Sequence, residues 1–144
     1  MKIETTILKN LLQNEDYARK VLPFLNDKYF TENSDKIVYN QINNFILKYN
    51  SLPNKEALNI ELSEAKITEE DFKESINLIN EIGKDDQEFS DLSWLLDTTE
   101  KFCQDKAIYN AVVESISILD NPKSTTDKGA IPDILSDALA VSFD

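Results

Sequence analysis

Apolar side chains recur along this chain every three or four residues, from its first segment to its last. Nowhere do they alternate with polar ones over the length of a strand. Ile7, Leu8, Leu11 and Leu12 predict a helix over residues 4–13. Tyr17, Val21, Phe24 and Leu25 predict one over 16–25, which Pro23 should weaken or end. Ile37, Val38, Ile42, Phe45, Ile46 and Tyr49 line a helix over 35–49, with Ser34 as its N-cap. A short helix over 54–62 follows Pro53. The run Thr68-Glu69-Glu70-Asp71 is a variant capping box that opens a helix ending at Gly83, with Phe72, Ile76, Leu78 and Ile79 turned to the core. A long helical stretch over 91–119 carries Trp94, Leu95, Phe102 and Tyr109.

The chain ends on a second apolar stripe, beyond the helix-breaking run Asn121-Pro122-Lys123-Ser124-Thr125-Thr126-Asp127-Lys128-Gly129. Before the break lie Ala107, Ile108, Ala111, Val112, Ile116 and Leu119; after it lie Ile131, Ile134, Leu135, Ala138 and Leu139. The pattern therefore predicts an all-α protein: a small helical globule over 1–103, then a helical hairpin over 104–144. The globule is expected to pack around Leu11, Leu22, Phe24, Ile42, Phe45, Leu58, Phe72, Ile79 and Trp94, and the boundary to fall near residues 99–104. Residues 84–88 read as a short acidic loop, and no internal repeat is present.

The first hairpin helix is apolar on more than one side, because Tyr109, Val113 and Ile118 fall beside or opposite its main stripe. Such a helix needs more cover than one neighbour provides, so the hairpin points to a partner. Ile108, Val112, Ile116, Ile134, Leu135 and Leu139 are expected to form the hairpin seam and a face for a second subunit. Val113 and Ile118 are expected on its outer side, where a charge would weaken association and spare the fold. Ordinary intrachain core is an equally good reading of the seam residues. Burying about five aliphatic side chains at roughly 1.5–3 kcal/mol each supports association at high local concentration, after the entropy of association is subtracted.

Composition narrows the chemistry. With 144 residues, 41% of them hydrophobic, the chain can bury a core. It has no run of eighteen apolar residues that would suit a membrane helix. Its start lacks the apolar stretch and cleavage site of a signal peptide, and its single cysteine, Cys103, cannot close an internal disulfide, so an intracellular protein is expected. The net charge is −12, with fourteen lysines and one arginine, Arg19. Without clustered Lys and Arg, the chain should bind nucleic acid poorly.

There is no histidine, which removes the commonest general base and zinc ligand. Cys103 reads as a core thiol rather than a nucleophile. Two isolated glycines exclude a phosphate-binding loop. The acidic groups Glu69/Glu70/Asp71 and Asp85/Asp86/Glu88 lack the spacing of a cation-binding loop, and read as a helix-dipole complement and a solvated loop. No catalytic, cofactor-binding or metal-ligating residue is expected. Two readings fit these observations: a helical interaction module of a larger machine, or a free-standing acidic adaptor or DNA mimic. Scattered acids, sparse in the hairpin, argue against the mimic.

Three segments carry a resemblance. Ser93-Trp94-Leu95 with Thr99-Glu100-Lys101-Phe102, Gln104, Lys106 and Ala107 is the first. Gly129-Ala130-Ile131-Pro132-Asp133-Ile134-Leu135 with Ala138-Leu139 and Ser142-Phe143-Asp144 is the second, and Ser51-x-Pro53 with Ala57-Leu58-Asn59 the third. Together they resemble the N-terminal domain of the replicative DNA helicases of T-even-type bacteriophages, within the DnaB-like hexameric family. The resemblance spans the whole chain, and its Gly-Ala-Ile-Pro-Asp-Ile block is the most specific part. It implies a full-length protein that unwinds DNA 5′ to 3′, with ATP and Mg held by a motor domain beyond Asp144. It also implies a collar of N-terminal domains paired as a trimer of dimers, contact with primase, and residence in the cytoplasm of the infected host. The phosphate-binding loop and arginine finger of that family are not in this chain, so unwinding is not expected of these residues.

Overall fold

The computed structural model describes residues 2–85 and 90–144. Seven α-helices and no strand occur among the described residues, as the periodicity predicts. They are α1 (Ile3–Gln13), α2 (Glu15–Val21), α3 (Asn33–Tyr49), α4 (Lys55–Ser63), α5 (Glu69–Ile82), α6 (Leu92–Asp120) and α7 (Ile131–Leu139). The acidic group Asp85/Asp86/Glu88 lies mostly outside the described residues.

Local chemistry sets most of the ends. Asn14 caps α2 by accepting the Tyr17 N–H, and Asn54 caps α4 by accepting the Ala57 N–H at 2.8 Å. The Thr68 hydroxyl accepts the Asp71 N–H at 3.1 Å, so Thr68 caps α5 through the forward bond of the expected box. Pro23 acts as expected: α2 stops at Val21 and the chain tightens into a 3-10 turn over Leu22–Phe24. Ser34 is not the N-cap of α3. The helix begins at Asn33 and buries Ser34 inside its first turn, while Glu32 takes the cap position without a side-chain bond. Gly83 does end α5, though not by a left-handed turn. A Cβ there would lie 3.0 Å from the Ile79 carbonyl oxygen and 3.1 Å from the Lys55 side chain, where the start of α4 crosses. Replacing Asn54 with Ala should cost about 1 kcal/mol by removing a cap without touching the core. A urea titration with an unchanged slope checks it.

α1 lies at the centre of the globule, with α2, α3 and α5 packed against it. Its Ile7, Leu8 and Leu11 are fully buried, and belong to one apolar cluster with Val21, Ile42, Leu58, Leu62, Ile79 and Ile82. Of the expected core, Leu11, Ile42, Leu58 and Ile79 are fully enclosed, and Leu22, Phe24, Phe45 and Phe72 half-buried. Trp94 is a correction: it is 50% exposed. The buried side of α6 runs through Leu95, Thr99, Phe102 and Cys103, and Trp94 falls one residue out of phase with it.

Polar ties reinforce the packing. Tyr17 of α2 and Thr99 of α6 share a buried hydrogen bond of 2.6 Å between their hydroxyls. The Tyr39 hydroxyl donates to the Leu25 carbonyl at 3.0 Å. Arg19 fastens Asn50, the left-handed residue that ends α3, by donating to its side-chain and main-chain oxygens at 3.2 Å each.

α6 runs 29 residues without interruption, so it passes directly through the region where the sequence placed a boundary. Its first half packs on α2 and its second half on α7. One apolar cluster extends from α1 to Ala107, Ala111 and Ala138.

Candidate interaction surface

The second half of α6 carries two stripes of different character. Ala107, Ala111, Ser115 and Ile118 are buried, and α7 is the helix packed along this stretch. Three of the four are small, which lets the helices approach closely. The Ser115 hydroxyl donates to the Ala111 carbonyl at 2.7 Å, so its burial leaves no unmet polar group. Opposite this stripe, α7 presents Ala138, buried, with Ile134 and Leu135 half-buried.

The second stripe faces solvent. Ile108, Tyr109, Val112, Val113, Ile116 and Leu119 are between 38% and 64% exposed, and Leu139 at the end of α7 is 72% exposed. At about 100° per residue, the six α6 positions cover an arc of roughly 140°. A scatter of single apolar residues is ordinary on a protein surface, whereas a contiguous strip marks a contact site.

This arrangement revises the expected roles. Ile134 and Leu135 take part in the seam. Ile108, Val112, Ile116 and Leu139, expected to form both the seam and a face for a second subunit, are exposed, so they leave the seam and stay on the open face. Val113 is on the outer side, as expected. Ile118 is a correction: it is only 6% exposed and lies on the buried stripe, not the outer one. The reason is the one-residue offset between 107/111/115/118 and 108/112/116/119. Hydrophobicity alone favours the larger aliphatic set as the seam, while close approach of a short helix selects the smaller one.

No other part of the described chain assembles chemistry. Cys103 is fully buried, and burial pushes its thiol up to about 12, away from reactivity. No group of three or more His, Cys, Asp or Glu able to hold a metal occurs among the described residues. Glu69, Glu70 and Asp71 occupy the first turn of α5, where they complement its dipole. Among the described residues no helix is long and apolar enough to cross a membrane. A groove of about 540 Å³ lies between the end of α2 and the end of α3, floored by Leu22, Pro23, Ile46, Leu47 and Leu52. No local spacing announces it, because residues distant along the chain form it.

The sequence also left unread the segment after α7. Val141, Ser142 and Phe143 are half-buried, folded back against the start of the long helix.

Comparison with known proteins agrees with the resemblance read from the sequence. No protein-family model matches the chain. The chain is similar to a DnaB-like replicative helicase of Enterobacteria phage T4, with 34% identity over 146 aligned residues. The match takes in 96% of this chain and 30% of that protein, so the chain spans under a third of the relative's length.

Proposed function

We propose that this chain is the N-terminal domain of a phage replicative helicase, and that it serves as a self-association collar that also meets primase. The similarity to the T4 protein supports a helicase-related role in DNA replication. The observation that carries the collar role is the bare apolar strip on α6, a surface suited to a second subunit. Coverage of 30% of the relative fits a domain of a longer protein, in which ATP, Mg and unwinding belong to other parts. The charge agrees with a collar that lets a strand pass without gripping it: net −12, with the one arginine occupied by Glu15 and Asn50. The primase contact and the trimer-of-dimers arrangement rest on the resemblance. A free-standing acidic mimic is less well supported, because the prominent exposed strip is apolar.

The test is self-association of the 144-residue chain. Sedimentation from micromolar to millimolar concentration should show reversible dimers. A Val112→Asp/Ile116→Asp pair should weaken the dimer on the order of 100-fold, since two central apolar contacts are lost and two charges desolvated. Circular dichroism, and the melting temperature at concentrations where both chains are monomeric, should stay unchanged, because both positions face solvent. A wild-type chain that stays monomeric throughout, or a variant that dimerises equally well, would sink the proposal. Reading the coding sequence beyond Asp144 separates the classes: a helicase continues into a Gly-rich loop ending in Lys-Ser/Thr, an adaptor does not.

A further inference from the structure

α7 packs along α6, but it has weak means of its own to stay helical. It is nine residues long, below the length at which isolated helices are stable in water. Its N-cap, Ala130, makes no side-chain bond, and its last apolar residue, Leu139, is bare. The segment that follows is fastened at three points. Gln104 donates from Nε2 to the Val141 carbonyl at 3.1 Å. The Phe143 N–H donates to Glu100 Oε2 at 2.7 Å. The Phe143 ring stacks on Phe24, with centroids 4.8 Å apart and an interplanar angle of 23°. Glu100 and Gln104 lie one turn apart on α6, and Phe24 belongs to the 3-10 turn after α2. The end of the hairpin is therefore tied to the first half of α6 and, through Phe24, to the globule.

We propose that residues 140–143 form a latch that sets whether α7 lies on α6. With the latch docked, Ala138 of α7 shares one apolar cluster with Ala107 and Ala111 of α6. With it released, α7 loses its anchor, and Ala107 and Ala111 join the bare strip formed by Ile108, Val112 and Ile116. Phe24 is uncovered in the same step. Whatever draws the segment after α7 away from the globule, or competes with Phe143 for Phe24, thus enlarges the apolar face of α6. The inference is independent of what binds that face.

Amide hydrogen exchange on the full 144-residue chain tests it. Phe143→Ala should speed exchange of the amides over 135–140 about tenfold, the scale of a lost aromatic pair, and leave those of α1 and α3 unchanged. Glu100→Gln, which keeps the side chain's shape and removes the charge-assisted bond, should speed the same amides by a smaller factor. Phe24→Ala combined with Phe143→Ala should speed them no more than the stronger single change, since both break one contact. Three outcomes overturn the latch: unchanged exchange in α7 for both Phe143→Ala and Glu100→Gln, a rise spread equally over α1 and α3, or fully additive effects of the two phenylalanines.

Discussion

Ile118→Asp is expected to destabilise the chain by about 3 kcal/mol and to loosen the hairpin, whereas Val113→Asp, five residues earlier on the same helix, should change stability by no more than about 0.5 kcal/mol. Ile118 is on the buried stripe of α6 and Val113 is half exposed. Removing the isoleucine forfeits roughly 1.5–3 kcal/mol of burial, and the incoming carboxylate is partly desolvated. Its surroundings worsen the cost: the cleft beside Ile118 is lined by Asp120 and Asp127, although Lys128 is also present. The site lies close to the loop, so partial hydration keeps the penalty moderate. Urea titrations of the two variants check this, with exchange of the α7 amides as the local readout. Equal stability for the two would mean that the aliphatic stripe, not the small one, packs against α7.

The second large effect belongs to the globule. Leu11→Ala should cost about 3 kcal/mol, within the 2–5 kcal/mol range for buried leucines. Leu11 has no exposed surface, and α1 is enclosed by α2, α3 and α5, so no single neighbour can relax into the space. Because one apolar cluster joins α1 to the root of the hairpin, the whole chain should unfold as a unit. Circular dichroism and Trp94 fluorescence should then give coincident midpoints, both shifted to lower urea. Separate midpoints would show that globule and hairpin melt independently.

Much of the architecture is legible in the sequence, since helix periodicity and end signals are local. Thr68, Asn54, Pro23 and Gly83 all mark real ends. What local pattern leaves undetermined is rotation about a helix axis. The 91–119 segment is apolar on several sides, so its sequence fits more than one inward face, and the fold turns Trp94 outward and Ile118 inward, the reverse of expectation. Packing against α7 settles the matter: Ala107 and Ala111 share its apolar cluster with Ala138, while the larger Ile108 and Val112 stay exposed. Ser34 misleads for a related reason: it is a good cap by type, but the helix starts one residue earlier and buries it. The fastening of Phe143 to Phe24 joins residues far apart in the chain, and no spacing rule reaches it.

The unbroken α6 has a mechanical consequence. At about 1.5 Å per residue, its 29 residues make a rod roughly 43 Å long, rooted in the globule over one half and projecting over the other. Such a rod is a lever. A tilt of about ten degrees where Leu95, Thr99 and Phe102 are seated would carry the far tip, roughly 25 Å away, through about 4 Å. That is close to the width of a side chain. Small adjustments in the packing around Tyr17 and Thr99 would thus be magnified at the far tip, and the stiffness of one helix would transmit them.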